Sequence, residues 1–185
     1  YLSQGRIPNF ICLVSRYGEV AHYSHQGFKN IDKRDEINNE TIFRIYSMTK
    51  PITSVALMML YEKGLIRLEH ELYRYLPEFK KTEVWVSGDT NSYKTKPIKN
   101  PILIRDLMTH TAGFTYDFMI GHPAIGLYRK NGLHDHKDIN TKKEMDLKQF
   151  CEKLSDLPIL FEPGEKWHYS NSIDILGRVI EVVSG

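Results

Sequence analysis

An α+β fold is what the order of elements predicts. Two β-favouring runs stand early in the chain, and helix-periodic stretches fill most of the remainder, with no strand–helix alternation of the kind that builds a parallel sheet. Phe10-Ile11-Cys12-Leu13-Val14 is a short apolar run suited to a strand covered on both faces. Val20 to His25 reads as its return strand across the Arg16-Tyr17-Gly18-Glu19 turn. From Ser47 on, apolar residues recur with helical spacing.

Taken in order, the hairpin spans 10–27, with Gly18 where a turn needs positive φ. Residues 29–40 are polar and charged, which marks a surface connection. A helix over 47–63 comes next. Pro51 stands near its start, where a missing N–H does little harm, and Lys63-Gly64 ends it. Ile52, Val55, Ala56, Met59 and Leu60 fall at i, i+3, i+4, i+7 and i+8, so they are expected to form its buried face. Leu72 to Phe79 predicts a turn of helix with a bend at Pro77, and Thr82 to Lys99 a polar excursion. Ile102 to His110 reads as a short helix closed by Ala112-Gly113, residues 115–145 as loop-rich, and Asp146 to Leu154 as an amphipathic helix. Glu162-Pro163-Gly164-Glu165 has Pro and Gly at the positions a type II turn requires. Ile173, Leu176, Val179, Ile180 and Val183 mark a last helix beginning near Ser170, which makes 65–185 a mostly helical region. Two strands alone make no stable sheet, so further strands are expected beyond residue 185.

At 185 residues the length suits one domain, and 41% apolar with 26% charged residues is ordinary for a globular protein. Aromatics at 11% can build a core, which excludes general disorder. Lysine and arginine number 25 against 23 acidic residues; a net charge of +2 gives no electrostatic reason to expect nucleic acid or an anionic membrane as partner. No apolar run approaches the roughly 20 residues that span a bilayer, so no transmembrane segment is expected. Cys12 and Cys151 form neither a disulfide framework nor a zinc site and read as separate buried thiols, which identify no compartment. The chain opens on Tyr1 with no visible leader and closes just after an amphipathic helix, the expected look of a piece of a longer protein.

Two short patterns carry chemistry. In Ser47-Met48-Thr49-Lys50, helical i, i+3 spacing lets the amine reach the hydroxyl. A serine is a poor nucleophile until a base takes its proton, and a helix start aims N–H groups at developing negative charge. With 11 serines and 16 lysines, about one such match arises by chance, and a capping serine beside a surface lysine is the plain alternative. Tyr169-Ser170-Asn171 stands at the entry of the last helix. A phenol near a cationic lysine can act as general base; the plain alternative is Ser170 or Asn171 as cap and Tyr169 as staple.

In context these patterns agree. Phe43-Arg44-Ile45-Tyr46-Ser47-Met48-Thr49-Lys50-Pro51-Ile52-Thr53-Ser54 resembles the nucleophile segment of the class C β-lactamase and family VIII carboxylesterase group. Ile104-Arg105-Asp106-Leu107-Met108-Thr109-His110-Thr111-Ala112-Gly113 is similar to that group's "RDLLTHTSG" stretch. Phe161-Glu162-Pro163-Gly164, through Tyr169-Ser170-Asn171, to Leu176-Gly177-Arg178-Val179-Ile180-Glu181 is similar to its Tyr-x-Asn segment. The resemblance implies the N-terminal half of a single β-lactamase/transpeptidase-like domain, incomplete in its C-terminal strands. It implies a serine hydrolase that forms an acyl-enzyme on a small-molecule ester or amide, with carboxylesterase favoured over class C-type β-lactamase or D-amino-acid peptidase. Ser47 would be the nucleophile, Lys50 its proton partner and stabiliser, Tyr169 the general base and acid, and Asn171 a substrate-binding residue. No cofactor or metal is implied. The family's late Lys/His-Thr/x-Gly element, which carries half of the oxyanion hole, has no counterpart: Lys81-Thr82-Glu83 and Lys94-Thr95-Lys96 lie too early.

Other readings are weaker. His134-Asp135-His136-Lys137-Asp138 contains His-x-His-x-Asp, but Ile139 stands where metal hydrolases usually continue with histidine, and a polar loop explains the stretch. His110 with Asp106 could suggest a Ser-His-Asp triad, yet no Gly-x-Ser-x-Gly elbow is present; His110 and Thr109 are expected to close a helix and brace the site. Tyr128 and Trp167 are expected in the core. A non-catalytic member of the same fold is the alternative outside enzymes, which retention of Ser47, Lys50 and Tyr169 together opposes.

Overall fold

Antiparallel pairing organises the first of two units in this computed structural model, which describes residues 1–133 and 145–185. That unit is Tyr1–Tyr46. Strand β1 (Asn9–Arg16) pairs with β2 (Glu19–Asn30), Asn9 opposite Gly27 and Arg16 opposite Glu19. Tyr17 (φ 54°) and Gly18 (φ 82°) both take positive φ, the tight turn whose twist suits a two-residue hairpin. A short β3 (Asp35–Glu36) pairs with β2 and completes a sheet of order β1-β2-β3. The expected hairpin is therefore present and longer at both ends. Double coverage of its first strand is not: Leu13 and Val14 are 58% and 50% exposed and Cys12 is exposed, since a three-stranded sheet within this unit has no second layer of its own.

The second unit, Ser47–Gly185, holds α1 (Thr49–Glu62), β4 (Glu83–Gly88), β5 (Tyr93–Pro97), α2 (Ile104–Met108), α3 (Ile125–Lys130), α4 (Leu147–Ser155) and α5 (Ser172–Ser184). Its core joins α1 (Leu57, Leu60) with α2 (Ile104, Leu107), α4 (Leu154) and α5 (Ile175, Leu176, Val179). Each such aliphatic side chain removed from water contributes about 1.5–3 kcal/mol. Helix α1 buries Leu60 as expected, together with Leu57, but Ile52, Val55 and Met59 of the expected face are 62%, 61% and 53% exposed. The run Val55 to Leu60 is apolar around most of the helix, so its period does not select a face.

The helical reading of 65–185 also needs a correction. Thr82 to Lys99, expected as an excursion, contains the β4–β5 hairpin, with Trp85 stacked on Tyr93 at 5.2 Å between centroids. It is anchored through Trp85 N–H to Ile159 O (2.9 Å) and Ile159 N–H to Glu83 O (2.9 Å). Leu72–Arg74 and Pro77–Lys81 form the expected turns on either side of the bend, both as 3-10 helix. Helix α4 starts with Asp146 accepting from Gln149 N–H at 2.7 Å while the Gln149 side chain accepts from Asp146 N–H, a reciprocal cap. Tyr128 is fully buried in the core as expected, whereas Trp167 is 68% exposed. Cys151 is buried. The His134 to Asp138 stretch lies outside the described residues.

Candidate active site

Ser47 lies in a 3-10 turn, Tyr46–Met48, that leads into α1, and Lys50 sits in the first turn of that helix. The spacing brings Lys50 Nζ to donate to Ser47 Oγ at 3.3 Å. Ser47 Oγ is also 2.5 Å from Tyr169 OH, across 122 residues of chain. An ammonium has donors only, so the serine oxygen accepts from Lys50 and its own proton is free to be shared with the tyrosine oxygen.

A short ladder of backbone bonds brings Tyr169 there. His168 N–H donates to His110 O (2.8 Å), Gly164 N–H to Thr111 O (2.9 Å) and Leu160 N–H to Gly113 O (2.8 Å). The second and third motif segments are thus stitched together. Gly113 has φ +86°, and a Cβ there would come within 2.5 Å of Phe161 O, so only glycine fits. The Glu162–Glu165 turn is as expected, with Gly164 at φ 83° and Glu165 N–H donating to Glu162 O at 3.1 Å.

Electrostatics assign unlike states to the two groups beside Ser47. For Lys50, burial favours the neutral amine, but hydrogen bonds to Tyr169 and Tyr116 outweigh it and raise the pKa above its ordinary value, so the lysine is cationic at neutral pH. For Tyr169, burial disfavours the phenolate, yet hydrogen bonds from Lys50 and Ser47 and the lysine's charge prevail and lower its pKa. The phenol is therefore the better proton acceptor of the pair, and Lys50 is the fixed positive charge that makes it so. Tyr116 is a member of this cluster that the sequence reading missed. Its ring lies 5.4 Å from Lys50 Nζ and 5.3 Å from the Tyr169 ring, and its hydroxyl donates to Asp174 Oδ2 at 3.4 Å. Burial, and secondarily Asp174, push its pKa up to about 12, so it stays a neutral donor. Its only signal in sequence was a position three residues after the Gly113 turn.

Ser47, Lys50 and Tyr169 are thus brought together by direct hydrogen bonds, and Asn171 shares none of them. It is fully buried at the head of α5, its carbonyl accepting the first helical N–H groups while both side-chain amide atoms lack a hydrogen-bond partner. It stands at the N-cap position of α5 and makes no side-chain cap bond there. Asp106 accepts from Leu103 N–H at 2.9 Å and pairs with Arg105, so it is engaged at the start of α2 instead of partnering His110. Among the described residues no group of three or more His, Cys, Asp or Glu side chains is arranged to hold a metal, and no helix is long and apolar enough to cross a membrane.

A serine–lysine–tyrosine cluster on an α+β frame with small antiparallel sheets defines a member of the β-lactamase/transpeptidase fold. The chain matches the Beta-lactamase family over residues 1–185 and belongs to it. It is 30% identical to Esterase EstB of Burkholderia gladioli over 184 residues, covering all of this chain and 43% of the esterase. The solved structure of EstCE1, a hydrolase with promiscuous acyltransferase activity, is 30% identical and superposes with a TM-score of 0.79 over all of this chain and 44% of its own. Unliganded simvastatin synthase from Aspergillus terreus, 22% identical, shares the fold with a TM-score of 0.75 over all of this chain and 46% of its own. The chain spans less than half the length of the curated relatives it matches.

Proposed function

We propose that the protein carrying this chain is a serine hydrolase of carboxylesterase type that turns over small ester substrates through an acyl-enzyme on Ser47. The observation that carries this reading is the convergence of Ser47 Oγ on Tyr169 OH at 2.5 Å and Lys50 Nζ at 3.3 Å. Ser47 Oγ attacks the ester carbonyl as its proton passes to the Tyr169 oxygen. The tetrahedral oxyanion meets the Ser47 backbone N–H in the turn that opens α1. Tyr169 then gives the proton to the leaving alkoxide as the carbon–oxygen bond breaks, and Lys50 stabilises the phenolate present before the first transfer and after the second. Water attacks the acyl-Ser47 ester by the reverse roles and regenerates the serine. The match to proteins named as esterases favours esters over lactams.

The test is covalent. A fluorophosphonate probe applied to the full-length protein is expected to label Ser47, identified by peptide mass, and the Ser47→Ala variant is expected to lose both label and turnover of p-nitrophenyl butyrate. Labelling elsewhere, or turnover unaffected by Ser47→Ala, refutes the reading.

A further inference from the structure

The geometry points to His110 as the residue that positions Tyr169, gripping the tyrosine's ring and both of its chain neighbours at once. This rests on the reading of Tyr169 as the proton acceptor for Ser47. Three contacts make the grip. The His110 carbonyl accepts from His168 N–H at 2.8 Å. Its Nδ1 accepts from Ser170 N–H at 3.3 Å and lies 3.2 Å from Ser170 Oγ. Its ring lies against the Tyr169 ring, 5.0 Å between centroids and tilted by 46°. Residues 168 and 170 are thus bonded to one residue on either side of the tyrosine, and residue 169 is left with its hydroxyl toward Ser47.

The tautomer is fixed by the donors. A backbone N–H can only donate, so Nδ1 holds a lone pair and the ring proton is on Nε2. His110 also sits at φ 56°, a left-handed conformation unusual for a residue with a Cβ, and the stitched ladder of 110–113 with 160–168 sustains it. Outward of the ring, Trp167 packs at 6.3 Å nearly edge-on. The titratable and charged groups bearing on the imidazole are Lys50 from α1 and His168 and Tyr169 from the segment before α5. Half-burial first, then the lysine's charge and His168, hold the His110 pKa below the ordinary histidine value. Protonating Nδ1 would remove the acceptor for Ser170 N–H and place a second cation behind Tyr169. Neutral His110 is therefore the working form, and acid unlocks the grip.

Asparagine separates this role from bulk packing, since its Oδ1 can accept as Nδ1 does, it tolerates positive φ and it does not titrate. His110→Ala is expected to lower kcat for p-nitrophenyl butyrate about 10–100-fold, the worth of a displaced catalytic group, with KM changed less than threefold. In NMR of ζ-carbon-labelled tyrosine in this chain, the same variant is expected to move the Tyr169 ionisation to higher pH. His110→Asn is expected to restore both and to remove the additional acid-side fall that His110 protonation adds to the tyrosine's own limb, at a pH below the ordinary histidine value. Should His110→Ala fail to fold, His110→Asn alone decides. An Asn variant below a third of wild-type kcat, or one in which the additional fall below the tyrosine limb persists and so belongs to His168, overturns the proposal. An Ala variant that folds with unchanged kcat and tyrosine ionisation overturns it as well. Failure of the serine probe to label Ser47 would defeat the hydrolase reading alone, because the tyrosine resonance still reports on His110.

Discussion

Tyr169→Phe isolates one oxygen atom. The phenyl ring keeps the packing against His110 (5.0 Å) and Tyr116 (5.3 Å), so the fold and the shape of the site are retained. What disappears is the 2.5 Å partner of Ser47 Oγ and one of the hydrogen bonds that hold Lys50 cationic. A general base contributes about 10²–10⁴ in rate. At 1.36 kcal/mol per decade this is about 3–5 kcal/mol of transition-state stabilisation. The p-nitrophenol burst from p-nitrophenyl butyrate, monitored by stopped flow in the full-length protein, is expected to slow by that factor while the substrate concentration at half-saturation barely moves. The pH profile gives an independent sign. The active base is the phenolate, so kcat/KM falls as pH drops through the Tyr169 pKa, which lies below the ordinary 10.0. That limb is expected in the wild type and absent from the residual activity of the variant. An acylation rate within threefold of wild type, or an unchanged limb, would show that the proton goes elsewhere.

The lysine and the ladder make two further predictions. Lys50→Met removes the charge that lowers the Tyr169 pKa, so residual activity is expected to need higher pH, and the double variant with Tyr169→Phe is expected to be little worse than either single one in burst rate. Gly113→Ala forces a Cβ to 2.5 Å from Phe161 O at φ +86°, and about 1–3 kcal/mol of stability is expected to be lost in urea titration; Gly164→Ala, at φ +83° with nothing within 4 Å, should cost less.

Much of the site was legible because its chemistry is written in fixed local spacings. Ser47 and Lys50 share a helix turn, and the order of three separated segments pointed to Tyr169. For Asn171 a motif position does not say how far the side chain is enclosed, and here it is fully buried. Tyr116 was invisible because it reaches Lys50 only through tertiary folding, with no spacing to announce it. The fold was read in the same uneven way. Amphipathic spacing located α4 and turn chemistry the 162–165 turn, both local signals. Helix α1 was found but only part of its buried side was: Leu60 is buried as expected, while Leu57 is buried in place of Ile52, Val55 and Met59 on a helix apolar almost all round. The β4–β5 hairpin was missed because Lys and Thr alternate along β5, although Val84-Trp85-Val86 and the Asp89 turn, which accepts from Asn91 and Ser92 N–H, were signals for it.

The ladder between residues 110–113 and 160–168 also changes what evolution or an engineer can alter. Gly113 O and Leu160 N–H, 2.8 Å apart, tie off everything between them as a closed excursion whose two ends are fixed by backbone bonds. Closure entropy grows only with the logarithm of length, so doubling such an excursion costs about 0.6 kcal/mol. Lengthening an exposed stretch within it leaves the anchor points where they are. An exposed stretch of the segment can therefore change in length while Tyr169 stays in register with Ser47, whereas Tyr116, Tyr128 and Leu154, which lie in the same excursion, are held by their packing.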